Sequence, residues 1–284
     1  MKVLITGALG GIAQGGVIQV LEKNFELKLT DYKEPEKELK HKFIKTDIRD
    51  YLEVKKIVKE ADAIVHLGAI ANPSEDPFLI YSTNVMGTIN LLESAWQNNI
   101  KRFIYASSIH IYGLPFNPEY LPIDEEHPLN PCTPYALSKF LSEETGRLYT
   151  KRYDFTFISL RIGSVFLRKE SYNNLKKENI KDRQEVLWNH IHPRDIGQLI
   201  KLSLLKDIKG FEAFNAVADD HTFPEISSLE LIRRFFPLVK KINNKDNFLI
   251  RKEASLISIE KAKRILGYKP NYNFRDYQKW ETLI

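Results

Sequence analysis

Short apolar runs alternate with longer stretches of helical period through the first half of the chain. Val3-Leu4-Ile5-Thr6 is an apolar run stopped by a glycine, which reads as a buried strand. Between Gly11 and Lys23, Ile12, Val17, Val20 and Leu21 fall on one helical side. Phe25 to Leu29 alternates around charged residues and stops at Asp31, predicting a second strand. Lys33 to Lys42 is polar and suits an exposed loop, and Phe43-Ile44-Lys45 begins a third strand. Val54, Ile57 and Val58 mark a helix leading to a fourth strand, Ala63-Ile64-Val65-His66-Leu67. Residues 79–97 read as one long helix with Val85, Ile89 and Leu92 inward, followed by a strand from Arg102 to Ser107. Leu114 to Pro134 is proline-rich loop, Tyr135 to Lys151 is helical, and Phe155 to Leu160 is strand-like. Short strands separated by helical segments require a parallel sheet covered on both faces. The fold class is therefore α/β, a Rossmann-type doubly wound parallel sheet.

After Arg161 the rhythm loosens. Residues 168–183 are highly charged and read as a surface excursion. Pro193–Leu205 predicts a helix, Phe211–Val217 a strand, and Pro224–Phe236 another helix. Ser258–Leu266 predicts a last helix stopped by Gly267, before the aromatic tail Tyr268–Trp280. These segments are expected to build a small C-terminal lobe over the sheet edge.

Composition narrows the class. Of 284 residues, 43% are apolar and only Cys132 is a cysteine, which excludes a disulfide scaffold. With 16 Phe, 13 Tyr and 3 Trp the chain has ample surface to bury, which excludes global disorder. No window approaches the roughly 18–20 apolar residues of a membrane helix, and no signal-like run opens the chain. A cytoplasmic protein with no membrane partner is the expectation. The net charge of +5 is spread along the sequence without a recognised nucleic-acid module, so it reads as solvated lysines. The histidines form no metal-ligand set, and no metal is expected.

Two constellations carry chemistry. Gly7-Ala8-Leu9-Gly10-Gly11-Ile12-Ala13 follows the first strand and opens a helix. Gly7 can make the tight turn, Gly10 admits a pyrophosphate at the helix N-terminus, and Ala13 permits close helix packing. Asp31, ending the second strand, can accept from an adenosine ribose and would repel a 2′-phosphate, so NAD is preferred as cofactor. Asp47-Ile48 after the third strand and Leu67-Gly68-Ala69 after the fourth are further candidates to line the dinucleotide path. At the reactive end, Tyr135 and Lys139 share one helix face. An ammonium there should lower the phenol's pKa and let it act as a base toward a substrate hydroxyl. Ser107-Ser108 ends the preceding strand at the sheet's C-terminal edge. Cys132 reads as incidental.

In order along the chain, these motifs join Asn84-Val85-Met86-Gly87-Thr88, Ser108-Ile109-His110-Ile111-Tyr112-Gly113 and Tyr135-Ala136-Leu137-Ser138-Lys139. The set resembles an extended short-chain dehydrogenase/reductase of the NAD-dependent epimerase/dehydratase superfamily. The resemblance covers about residues 1–165 and implies a NAD-binding domain there carrying the catalytic residues. It leaves 166–284 as a mixed region: a small substrate-binding lobe with segments returning to the main domain. It implies that Ser108 orients the substrate oxygen, Tyr135 is the acid/base, and Lys139 contacts the nicotinamide ribose. Asn84 would support the site from the helix behind it. It also implies a homodimer or larger homo-oligomer built on helices 79–97 and 135–150.

Ile109-His110 replaces the acidic pair of the superfamily's dehydratases, so water elimination is not expected. Leu160-Arg161-Ile162-Gly163-Ser164, Arg183 with Trp188, and His192 with Asp195 give a closer likeness to uronate dehydrogenases. That likeness implies a NAD-dependent oxidoreductase acting on a small, anionic sugar. Ser108, His110 and Ser164 would lie on it, with Arg183 paired to its carboxylate. The expected reaction is oxidation of a hexuronate at the anomeric carbon to its aldarolactone. A nucleotide-sugar 4-epimerase and a dehydrogenase of neutral or phosphorylated aldoses stand as alternatives.

Overall fold

The computed structural model describes residues 1–71, 76–113, 118–167, 175 and 177–279; Arg168, most of the charged excursion before Lys177, and Trp280 lie outside these. Its centre is a seven-stranded parallel sheet of β1 (Lys2–Thr6), β2 (Glu26–Asp31), β3 (Lys42–Lys45), β4 (Ala63–His66), β5 (Arg102–Ser108), β7 (Thr156–Ile162) and β8 (Gly210–Ala216). The order is β3-β2-β1-β4-β5-β7-β8. Strands leave β1 in both directions, so the order reverses between β1 and β4, and a crevice opens at their C-terminal ends. A lone parallel pair, β6 (Tyr120–Leu121) with β9 (Lys241–Ile242), lies outside this sheet.

Both faces of the sheet are covered, as its apolar runs require. On one face Val3 and Ile5 pack with Val17, Leu21 and Leu199. On the other, Leu4, Ile64, Phe103 and Phe157 meet Val54, Leu91 and Leu92. The alternation Val3, Leu4, Ile5 between the two clusters follows from the two-residue period of a strand. Among the described residues the α-helices are α1 (Ile18–Leu21), α2 (Tyr51–Ile57), α3 (Pro77–Tyr81), α4 (Gly87–Gln97), α5 (Pro134–Arg152), α6 (Pro193–Leu205), α7 (Ser228–Phe235), α8 (Lys245–Ile250) and α9 (Glu260–Leu266). The outer sides of α4, α5 and the turn before α4 leave Met86, Trp96, Leu141 and Leu148 exposed.

Several elements differ from the periodicity reading. The helix expected over 79–97 is interrupted at Ser82–Met86 by a wider turn that Gly87 N closes onto Ser82 O. A similar wide turn, Ala13–Val17, precedes α1. Such turns keep the apolar side inward, so the pattern does not reveal them. The loop expected over Leu114–Pro134 contains β6, because a two-residue strand needs only a distant partner, β9. Helix α7 begins at Ser228 rather than near Pro224, where the Ser227 side chain accepts from Glu230 N. As expected, Gly267 ends α9 in the left-handed conformation, at φ +75°.

The tail folds back onto the body. Asp195 on α6, buried, accepts from Asn271 N (3.0 Å) and Tyr272 N (3.1 Å). Asp220 accepts from Phe274 N (2.9 Å) and contacts His190 Nε2 at 2.8 Å. The His192 ring stacks on Tyr272 at 3.7 Å. His192 and Asp195 thus cap α6 and clamp the tail.

Candidate active site

The crevice between β1 and β4 is lined by backbone. At Gly7 (φ +69°) the chain turns so tightly that a Cβ would lie 2.5 Å from Gly68 N. Gly10 N donates to Gly7 O (3.0 Å) and Gln14 N to Gly10 O (3.0 Å), beginning the first helical turn beside Gly11 and Ile12. Asp31 reaches this turn from the end of β2, accepting from Leu9 N (3.0 Å) and Lys33 N (3.3 Å). Leu67, Gly68 and Ala69 continue β4 as a half-buried strip across the opening. Thr46 N donates to Asp31 O (2.8 Å), which brings Asp47 and Ile48 to the same sheet edge. Asp47 holds Arg49 through both carboxylate oxygens (Nε at 2.9 Å), and this pairing lowers its pKa. Ile48 packs into the notch at Gly87, and Asn90 Nδ2 donates to Ile48 O (2.9 Å). Glycine where two loops touch, a helix start and a carboxylate at the next strand end fit a dinucleotide laid across the switch point.

The reactive residues converge one strand further along. Ser108 ends β5, and Tyr135 stands in the first turn of α5, capped by Thr133, whose hydroxyl accepts from Ala136 N (3.1 Å). The Ser108 hydroxyl donates toward the Tyr135 phenol, and the His110 ring meets the phenol ring edge-on at 6.0 Å. Lys139 Nζ lies 5.8 Å from the centre of the Tyr135 ring and 4.9 Å from that of Tyr105, and donates to Ala106 O (2.7 Å).

The direction expected at Tyr135 is reversed. Its pKa is raised by burial, with the Ser108 hydrogen bond opposing. Lys139 is itself buried and drawn down to about 7, with Glu143 opposing, so near neutrality it is divided between charged and neutral forms. Burial also lowers His110, against the nearby Glu185 carboxylate.

Behind these groups runs a chain of hydrogen bonds whose sense the donors fix. Gly68 N donates to Thr6 Oγ1 (3.4 Å), which lies 2.6 Å from His66 Nδ1; His66 Nε2 lies 3.1 Å from Thr88 Oγ1, which donates to Asn84 O. With the Thr88 proton spent on Asn84, His66 must donate through Nε2 and accept through Nδ1. Burial, with the Lys139 charge adding, holds His66 neutral, its pKa near 3. Asn84 in turn grips Ile70 at N (2.8 Å) and O (3.0 Å) and donates to Ser138 Oγ (2.9 Å), which donates to Tyr135 O (2.7 Å). The crevice and the helix that carries Tyr135 are thus one hydrogen-bonded unit. Asn84 acts here as a bracket. His66, Thr6, Thr88 and Ser138 carry no local signal of this role; only the meeting of β1, β4 and the turn before α4 creates it.

Ser164 and Arg183 are both bonded to Asn189. Ser164 N donates to Asn189 Oδ1 (2.8 Å), and Arg183 Nη2 donates to Asn189 O (3.0 Å) while its guanidinium lies over Phe166 at 4.7 Å. Glu185 on the same segment raises the His110 pKa electrostatically, against the effect of burial. Leu167 packs on Gly11, where a Cβ would fall 2.2 Å from its Cδ1. Trp188 does not share this position: it is fully buried, with Nε1 donating to Ile180 O (2.7 Å). Among the described residues, no group of three or more His, Cys, Asp or Glu could hold a metal, and no helix is long and apolar enough to cross a membrane.

Residues 3–194 match the model of the NAD dependent epimerase/dehydratase family. The chain belongs to this family. NAD is accordingly its cofactor, the group that the glycine turn and Asp31 fit. A uronate dehydrogenase from Pseudomonas syringae is 30% identical over 205 residues, 70% of this chain and 72% of that one. A UDP-glucose 4-epimerase from Lactobacillus helveticus is 32% identical over 174 residues, 58% of this chain and 52% of that one. The chain spans about half the length of most curated relatives it matches. Among solved structures, a UDP-glucose 4-epimerase from Bifidobacterium longum superposes with TM-score 0.74 at 20% identity, covering 100% of this chain and 97% of that one. A mutated uronate dehydrogenase gives 0.73 at 23% identity, covering 98% and 84%. These likenesses show the same fold.

Proposed function

We propose that this protein is a NAD-dependent oxidoreductase acting on a sugar CH–OH group, and that it oxidises a hexuronate at the anomeric carbon to its aldarolactone. The observation that carries the substrate is the bonding of Ser164 and Arg183 to one residue, Asn189. A guanidinium can pair with a planar carboxylate through two N–H donors, which a lysine could match only in charge. The name of the Pseudomonas relative supports the same reading.

Residues of this chain supply binding and proton handling. Gly7, Gly10, Gly11, Asp31 and Gly68 would hold NAD, which when bound accepts the hydride from the anomeric carbon. Tyr135 takes the proton from the anomeric hydroxyl. Ser108 donates to the oxygen as it becomes a carbonyl, an interaction strongest where charge develops. Lys139, fastened to Ala106 O, keeps its Nζ beside the phenol. His110 meets the edge of the Tyr135 ring.

A second reading, 4-epimerisation of a nucleotide sugar, draws on the epimerase relatives and would use the same Ser108, Tyr135 and Lys139. A panel of uronates, free aldoses, aldose phosphates and nucleotide sugars, assayed by NADH absorbance, separates the two. The dehydrogenase accumulates NADH with galacturonate or glucuronate, and Arg183→Ala raises KM for that acid. Interconversion of nucleotide sugars without net NADH would establish the epimerase instead.

A further inference from the structure

We infer that Asn189 is a positioning residue that sets the spacing between Ser164 and Arg183, and thereby the selectivity for an anionic sugar. The inference rests on the reading of those two residues as substrate contacts. Asn189 has no exposed surface, yet each of its polar groups is directed at a different part of the binding wall. Its Oδ1 accepts from Ser164 N (2.8 Å), on the strap that leaves β7. Its Nδ2 donates to Val186 O, closing the turn that follows the segment of Arg183. Its main-chain oxygen accepts from Arg183 Nη2 (3.0 Å). Ser164 N can only donate and Val186 O only accept, so the amide has one orientation.

Two further features show that the surroundings are built for this amide. At Gly163 a Cβ would lie 2.1 Å from Asn189 Oδ1, so the amide occupies the space a side chain would need. Leu187 and Trp188 both adopt left-handed backbone, at φ 53° and 52°, which non-glycine residues hold only where neighbouring contacts enforce it. The contacts here are the Trp188 indole on Ile180 O and the Asn189 amide on Val186 O. Pairing then continues: Ile191 N donates to Ser164 O (2.9 Å), and Val165 bridges Ile191 in parallel. Asparagine alone supplies acceptor and donor at this length without charge; aspartate lacks the donor, and leucine lacks both.

The test compares Asn189→Ala, Arg183→Ala and the double variant, with steady-state kinetics on galacturonate and on NAD and a thermal melt of each. Displacement of a binding group by about an ångström should raise KM for the acid roughly tenfold to a hundredfold. KM for NAD and kcat should stay within about twofold, since the Gly7–Gly68 crevice and Tyr135 make no contact through this amide. In the Arg183→Ala background the second substitution should cost clearly less than it does alone, because the part of its effect that runs through the guanidinium is already gone. Gly163→Ala, which forces the amide away while leaving Arg183 intact, should reproduce the signature and serves if Asn189→Ala does not fold. Equal losses for acid and NAD, or additive losses in the double variant, would show a merely structural residue and overturn the inference. If Arg183→Ala raises KM while Asn189→Ala and Gly163→Ala do not, the inference alone fails. If Arg183→Ala leaves KM unchanged for every sugar turned over, the substrate reading fails and takes the inference with it.

Discussion

Replacing Glu143 by Gln and, separately, its neighbour Glu144 by Gln should give opposite outcomes, although both carboxylates pair with an arginine. Glu143 and Arg161 are 0% and 3% exposed in their side chains. Arg161 donates to Glu143 through Nη2 (3.0 Å) and Nε (3.3 Å), and Ser159 Oγ donates to the same carboxylate (2.7 Å). The amide keeps the shape and one acceptor, but it turns an NH₂ toward guanidinium donors and leaves a buried cation without its counter-charge. Arg161 keeps Tyr112 OH (2.9 Å) and Glu125 O (3.0 Å), neither of which is charged at that atom. Breaking one side of a buried pair costs about 3–5 kcal/mol, a large share of the roughly 5–15 kcal/mol that holds a domain folded. Glu144, by contrast, meets Arg147 at 3.1 Å with side chains 45% and 37% exposed. Such a surface pair contributes about 0.5 kcal/mol or less. Equilibrium urea unfolding of the three proteins, fitted with a common m-value, reads the difference directly. If the two variants fall within about 0.5 kcal/mol of each other, the claim that burial rather than proximity decides an ion pair's weight here is wrong.

Other consequences are open to simple assays. Tyr135→Phe should lower kcat by about 10²–10⁴ with NAD affinity retained, as measured by NADH production and a fluorescence titration; near wild-type turnover would remove Tyr135 from proton transfer. Because burial raises the Tyr135 pKa, its base form grows with rising pH, so kcat/KM for oxidation should climb through the alkaline range, and a profile falling above neutrality would contradict this. Burial lowers Lys139 from 10.5 to about 7, so between those values the unfolded chain holds a proton that the folded one lacks. Its contribution therefore makes stability rise with pH in that window, and Lys139→Met should flatten the slope of unfolding free energy against pH. Asp31→Ser removes the carboxylate proposed to face the ribose and the acceptor of Leu9 N, so KM for NAD should rise while NADP becomes usable; unchanged preference would place the ribose elsewhere.

The pattern of apolar runs determined most of the architecture without help from contacts, because a strand buried on both faces must be apolar at most of its positions. Val3 to Thr6, Ala63 to His66 and Thr156 to Leu160 announce themselves for that reason. The glycine turn, Asp31 and the Tyr135–Lys139 spacing were legible too, since turn geometry and helical period are local properties. What tertiary structure alone decided are relations between distant segments. Periodicity cannot show that Glu143 meets Arg161, that His66 is held neutral between Thr6 and Thr88, or that β6 finds β9. Nor can it show the sign at Tyr135, where the spacing to Lys139 pointed toward a more acidic phenol. Spacing fixes which groups are neighbours, but the water excluded around them fixes what each charge costs. Burial arises only when strands and helices close together, and so Asn189, one polar residue just after the charged stretch, acquires its place only in the folded protein.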